Sequence, residues 1–358
     1  MRRTLGLVSV VLSLVLSGAL AAYNPAEAKV RPTLSWHVTN VGADQELRGL
    51  AAVDRRTAWV SGDSGGVWRT TDGGATWQDV TPPGSTDQTL YRDVEATDAD
   101  HALVLAIGFG PDSKILRTDD GGATWEAAFV NNDPKAFYDC MAMWPGGRNG
   151  IAMSDPPDGK FRIIRTHDSG RTWTVVDNAG MPAADPDEFG FAASGTCLVT
   201  AGGRDAFLAS GGSVSRIYRT HDRGTTWQAV DSTIPTGANG SGGTFGLAFR
   251  NPQQGLAVGG DFADPDNGAL ASAYTANGGR SWTAGGDVGG YRSAVAWVSG
   301  ARRTAIAVGT SGSDVTYDGG RTWTAVTTGG DGFDSVQCLP GGVCWSSGAG
   351  GRVGWLRR

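Results

Sequence analysis

"RTTDGGATW" occupies Arg69–Trp77, and almost the same string, "RTDDGGATW", returns at Arg117–Trp125. Aligned on T-x-D-x-G-x-T-W, the chain continues with "THDSGRTW" from Thr166, "THDRGTTW" from Thr220, "TANGGRSW" from Thr275 and "TYDGGRTW" from Thr316. Counting the first two from Thr70 and Thr118, successive copies start 41 to 55 residues apart. That period is the length of one four-stranded propeller blade. One copy is degraded, with Asn277 in place of the Asp and Ser281 in place of the Thr.

The string has a local physical meaning. A short carboxylate accepts hydrogen bonds from backbone amides just ahead of it, and glycine supplies positive φ without a Cβ clash. Asp72, Asp120, Asp168, Asp222, Asn277 and Asp318 are therefore expected to close tight hairpins. The tryptophans that follow, Trp77, Trp125, Trp173, Trp227, Trp282 and Trp323, are expected to plug the space between neighbouring blades. Burying one indole removes about 150–250 Å² from water. At about 25 cal/mol per Å² the upper estimate is roughly 4–6 kcal/mol each. This assigns the strings a structural role, not a catalytic one.

Between the strings, alternating and β-branched runs are punctuated by Gly, Asp and Pro, which predicts strands throughout. The second unit parses as "YRDVEAT", "ALVLAIG", "KILRTDD" and "TWEAAF". Six strings give six blades. After the last one, "GFDSVQCLPGGVCWSSGAGGRVGWL" holds three strands and no string. "LSWHV", near the start, reads as an orphan fourth strand with Trp36 as its plug. The expected fold is all-β: a single seven-bladed β-propeller of four-stranded antiparallel blades over 29–358, closed by an N-terminal strand that completes the last blade. Such closure leaves only short strand edges exposed.

The six strings resemble the Asp-box, or BNR, repeats of sialidases and of the photosystem II stability/assembly factor family. The resemblance runs from about Leu34 to Leu356. The assembly-factor resemblance implies a non-catalytic, exported, seven-bladed propeller with an arginine-rich patch for a client membrane protein. The sialidase resemblance implies an arginine trio for a substrate carboxylate, a Tyr–Glu nucleophile pair and an Asp acid/base. Yet the first blade has "LRGL" where that family carries Arg-Ile-Pro, and "FRII" at Phe161–Ile164 directly precedes a repeat string and belongs to a third strand.

Composition narrows the rest. Charged residues make up 18% of the chain and the formal net charge is −6, which excludes the broad basic footprint of a nucleic-acid binder. The 56 glycines fit a chain built from tight hairpins. "MRRTLGLVSVVLSLVLSGALAA" has a charged start, an apolar run and small residues. It reads as a secretory signal within residues 1–28, cleaved after Ala21 or Ala28, with an uncleaved anchor as the alternative. No later segment is apolar enough to span a bilayer; the signal segment implies export, and the mature chain is expected to be a monomer. Four cysteines in an exported chain permit disulfides in three pairings. Cys338 and Cys344 can pair across "LPGGV", and Cys140 and Cys197 can link two blades; free buried thiols are the alternative. His37, His101, His167 and His221 lack a second ligand type at metal spacing, and no redox or cofactor motif occurs, so neither metal nor cofactor is expected. "GDFADPDNGA" at Gly260–Ala269 has the acids of a calcium loop without its spacing and reads as a solvated turn.

Chain direction places any site. The repeat strings lie on one face. The residues that begin each inner strand rim the channel on the other: "ELRGL", "LYRDV", "AFYDC", "DEFGF", "GTFGL", "GYRSA" and "GFDSV". Arg48, Arg92 and Arg292 with Tyr91, Tyr138, Tyr291 and Asp334 form the candidate binding set, suited to a carboxylate, a sulfate or an acidic peptide of a partner protein. Glu46, Asp93, Asp139 and Glu188 add carboxylates, and pairing with them is the competing use of the arginines. For a hydrolase, Tyr138 or Tyr291 with Glu188 would imitate the nucleophile pair, and Asp139 is the acid at hand. Strand alternation forbids adjacent Tyr, Arg and Asp from all entering the channel.

Overall fold

Each T-x-D-x-G-x-T-W string joins the third and fourth strands of an antiparallel sheet, and seven such sheets follow one another along the chain. The computed structural model describes residues 34–326 and 332–357, so the signal segment expected at 1–28 lies outside the described residues. The inner strands are Leu47–Ala52, Leu90–Ala96, Tyr138–Met143, Leu198–Ala201, Gly242–Asn251, Ala294–Trp297 and Ser335–Cys338 for blades 1 to 7. Fourth strands of two residues, such as Gln78–Asp79 and Thr174–Val175, finish several blades. Ser35–Asn40 pairs antiparallel with Arg352–Arg357 and forms the outer strand of blade 7, with Trp36 opposite Leu356 and His37 opposite Trp355. Among the described residues no helix is long and apolar enough to cross a membrane.

The turn itself is a small hydrogen-bonded ring. Thr70 Oγ1 donates to Asp72 Oδ1 (2.9 Å) and accepts from the Gly74 amide (2.9 Å). Asp72 in turn accepts from the Thr76 amide (2.9 Å) and hydroxyl (2.7 Å). The Thr76 hydroxyl and amide bonds hold Asp72 at a pKa of about 2, and Thr124 does the same for Asp120. The degraded copy keeps the circuit by other chemistry. Asn277 Oδ1 accepts from Thr275 Oγ1 (2.9 Å) and the Ser281 amide (3.1 Å), while its Nδ2 donates to Ser281 Oγ (2.9 Å). Asp318→Ala is therefore expected to lower the unfolding free energy by about 1–2 kcal/mol, and Asn277→Asp to change it by less than about 0.5 kcal/mol. Urea titrations at neutral pH compare the two; equal losses would refute the equivalence of the two circuits.

Every plug packs backwards, against the preceding blade. Trp125 meets Trp59 of blade 1 edge-on, with centroids 6.3 Å apart, and Trp77 meets Trp345 of blade 7 at 6.4 Å. Trp173, Trp227, Trp282 and Trp323 join apolar clusters with Leu105, Ile163, Phe207 and Leu256 of the preceding blades. Trp36 follows the rule for blade 7, packing on Ile306 and Val308 and donating to Ser313 Oγ of blade 6 (2.8 Å). Buried apolar clusters thus fill all seven interfaces, including that of blade 7 with blade 1. The plugs are not uniformly buried: Trp173, Trp227 and Trp282 are, whereas Trp77, Trp125 and Trp323 are half-buried.

Both disulfides form, Cys338–Cys344 across its hairpin and Cys140–Cys197 between blades 3 and 4. Blade 4 departs from the regular plan. Glu188–Phe189 does not begin its inner strand, which starts ten positions later at Leu198. It pairs instead with Gly211–Gly212, and the two extend the sheet of blade 5 to six strands. The cause is Glu188. Its fully buried carboxylate is bound to Arg216, Ser210 Oγ and Tyr218 Oη (3.0 Å), which fixes this stretch beside the second and third strands of blade 4.

Candidate functional site

The freed residues after Phe189 cross the ring. The Gly190 amide donates to Asp155 Oδ1 of blade 3 (2.7 Å), and Ala193 O accepts from Arg48 Nη1 of blade 1 (3.2 Å). Ser194 Oγ donates to Ser293 O before blade 6 (2.9 Å), and Ser194 O accepts from Ser335 Oγ of blade 7 (3.1 Å). Thr196 O accepts from Leu247 N of blade 5 (3.0 Å). Gly195 lies so close to Asp93 of blade 2 that a Cβ would stand 2.4 Å from its Oδ1, and its φ is +74°. The segment from Gly190 to Thr196 therefore touches every other blade and bars the channel. Cys197, at its end, ties it to the inner strand of blade 3.

Above this bar, the rim residues are aimed by bulges. The inner-strand register slips between Leu47 and Gly49, Tyr91 and Asp93, Tyr138 and Cys140, and Thr244 and Gly246. Arg48, Arg92, Asp139 and Phe245 are the extra residues. A bulge re-aims a side chain that strict alternation would send elsewhere. Arg48 forms ion pairs with Glu46 and with Asp334 (3.3 Å to Oδ1). Arg92 stands within the electrostatic reach of Arg48, Glu46, Asp63 and Asp334, yet among the described residues it makes no hydrogen bond or ion pair. Burial first, and then the like charge of Arg48, hold its pKa below the ordinary arginine value. Burial raises Asp334 to about 7 against the attraction of Arg48 and Arg92. Burial pushes the pKa of the Tyr291 phenol up, and the charges of Arg48, Asp334, Glu46 and Arg92 act on it.

The sequence set divides accordingly. Arg48, Arg92, Tyr291 and Asp334 come together at the mouth. Arg292 does not: the inner strand of blade 6 carries no bulge, and its guanidinium turns inward to Asp314 (2.6 Å from Nη2, 2.7 Å from Nε). Tyr91 is buried with its hydroxyl on Ser85 Oγ (2.8 Å), and Tyr138 is buried against Phe129 and Leu105. Neither Tyr138 nor Tyr291 is a hydrogen-bond partner of Glu188 among the described residues. Glu188 is engaged by Arg216 and Tyr218, while Tyr291 packs on Phe245 and Phe191. Asp139 is buried beside Asp155 under Gly190, its Oδ2 without a hydrogen-bond partner among the described residues; burial and then the Asp155 charge raise its pKa. Among the described residues no cluster of His, Cys, Asp and Glu could hold a metal. The acids of the "GDFADPDNGA" loop cap its own turns, Asp261 Oδ1 accepting from the Ala263 amide (2.8 Å) and Asp264 Oδ2 from Asn267 Nδ2 (3.3 Å).

Sequence reasoning missed the channel bar, though the interval from Thr166 to Thr220 is six residues longer than the two before it. It also missed the apolar neighbours of the mouth. Phe109 and Phe262 are exposed on second-to-third-strand loops of that face. From Phe262 an aromatic chain runs through Phe191 (6.2 Å) and Phe245 (3.8 Å, stacked) to Tyr291 (4.8 Å) beside the charged cluster.

Residues 26–267 match the family model described as DUF6242 beta propeller domain. No curated protein matches the chain. A structure of YCF48 bound to D1 peptide superposes with a TM-score of 0.64 at 15% identity, covering 89% of this chain and 96% of that one. YCF48 from Cyanidioschyzon merolae gives 0.63 at 16%, covering 89% and 98%. A chain of the mitotic checkpoint complex gives 0.61 at 14%, covering 98% and 99%. At such identities the likeness carries the fold and nothing finer.

Proposed function

Since this chain belongs to the DUF6242 β-propeller family, we propose that it is an exported, non-catalytic protein-binding propeller. Its channel-mouth face receives a carboxylate-bearing segment of a client protein, in the manner of an assembly or stability factor. The observation that carries this reading is Arg92: a half-buried guanidinium with no partner among the described residues, beside Asp334 and an aromatic rim that ends at exposed Phe262. A desolvated cation is costly unless something pairs with it, and a planar guanidinium suits a carboxylate. The bar closes the channel beneath the mouth, which suits a peptide lying on the face rather than entering it. The likeness to YCF48 bound to D1 peptide supports a protein client, and the Asp-box resemblance is consistent with it. The signal segment supports export.

Affinity capture of envelope proteins on wild-type and Arg92→Ala chains tests the reading. A client retained by the first and lost from the second is expected, with a Tm that does not fall in the variant. Turnover of a fluorogenic sialoside that Arg92→Ala abolishes would overturn it in favour of a glycosidase. Retention of every client by the variant would remove Arg92 from the site.

A further inference from the structure

A second cationic surface lies on the opposite face, between blades 5 and 6. Arg250 ends the inner strand of blade 5, Arg302 and Arg303 form the first-to-second-strand loop of blade 6, and Arg321 sits in the repeat turn of blade 6. All four are exposed. Together they line a cleft of about 550 Å³, and Arg250 and Arg302 continue into an adjoining one of about 430 Å³. Arg250, Arg302 and Arg303 have no ion pair with a described acid; the acid in the cleft, Asp318, is occupied by Thr316, Thr322 and the Arg321 amide. In a chain of net charge −6, four guanidiniums facing one spent carboxylate are a local reversal of sign.

The geometry selects the ligand. Arg250 lies over the Trp297 ring (5.3 Å) and Arg321 over Tyr274 (4.7 Å). Those guanidiniums cover ring faces that would otherwise stack a base or a sugar. A nucleic acid would also extend beyond the cleft onto a surface whose overall charge repels it. What remains is a short run of carboxylates, which guanidiniums bind two oxygens at a time and which the covered aromatic faces hold rigid. We propose that this cleft is a second docking site, for an acidic segment of a partner protein, independent of the channel mouth. The propeller would then join two protein segments on its two faces.

Fluorescence anisotropy with a labelled oligoglutamate peptide at low salt reads the site, with an oligothymidylate and a heparin oligosaccharide as rival ligands. The peptide is expected to bind with an affinity that falls as salt rises, to weaken at least about tenfold in Arg302→Glu/Arg303→Glu, and to be unchanged in Arg92→Ala. Neither side chain is hydrogen-bonded among the described residues, so the double variant should fold; Arg302→Gln/Arg303→Gln, expected to weaken binding less, repeats the test without introducing negative charge. Loss of binding in Arg92→Ala alone would place the peptide at the mouth and overturn this site. So would an absence of binding at low salt, an unchanged affinity in both double variants, or tighter binding of either rival ligand.

Discussion

Replacing Arg292 by methionine is expected to cost about 3–5 kcal/mol of unfolding free energy, although the residue sits just before an inner strand and looks like part of a binding rim. Its guanidinium is 2% exposed and Asp314 is 2% exposed. Nε and Nη2 both reach Asp314 Oδ2, and Nη1 donates to Tyr291 O (2.8 Å) and Ser311 Oγ (3.0 Å). Asp314 also accepts from the Gly289 amide (3.1 Å), so the pair fixes the loop that leads from blade 5 into blade 6. Truncating the cation leaves a buried carboxylate with one weak neutral donor. Arg292→Met/Asp314→Leu should recover most of the loss, because a buried pair replaced by apolar volume is often neutral. Urea denaturation of the single and double variants checks this. A single variant within about 1 kcal/mol of wild type would show that water or another cation serves Asp314. Client capture should survive in the single variant, in contrast to Arg92→Ala.

Arg292 also marks where the sequence ceases to be readable. The repeat spacing, the hairpin chemistry and the plugs are local and periodic, so blade number and strand order follow from the string. The direction of a rim side chain is set by tertiary detail, a bulge at the residue or a buried partner waiting for it, and "LRGL", "YRDV" and "YRSA" look alike on that point. Arg48 and Arg92 are bulge residues and turn to the mouth; Arg292 precedes its strand and turns inward to Asp314. Glu188 fails for a related reason. Its partner Arg216 lies 28 residues away, a tertiary pairing that nothing local in "DEFGF" announces, and the displaced strand start follows from it. The arginine cleft was invisible because its members come from two blades and only converge in the closed ring.

Stability is expected to peak at about pH 4 and to decline towards neutral pH, because two sets of carboxylates are shifted in opposite directions. Asp72, Asp120 and Asp168 have folded pKa values of about 2, below their ordinary 3.8. The folded state binds fewer protons than the unfolded chain between those values, so their contribution is complete above about pH 4 and is lost as pH falls through 2. Asn277 titrates nothing, so the repeat turn of blade 5 takes no part in that limb. Asp334, Asp155 and Glu95 sit at about 7, raised chiefly by burial. Their neighbours Asp139 and Asp93 are also raised, by burial and then by Asp155 and Glu95 respectively. For these groups the folded state binds more protons from about pH 4 upward, so stability falls as pH rises through 7. The rise on the buried Asp334 from 3.8 to about 7 corresponds to about 4 kcal/mol at most. Asp93 and Asp155 both contact the segment that bars the channel, Asp93 against Gly195 and Asp155 through the Gly190 amide. Their ionisation should therefore loosen the bar before it unfolds the ring. Thermal melts from pH 2.5 to 8 should trace a maximum on the acid side, and Asp334→Asn should lift the alkaline limb while leaving the acid limb in place. A maximum at neutral pH in wild type, or an Asp334→Asn melt that parallels wild type across the whole range, would mean that water reaches these carboxylates and that the floor of the mouth is open.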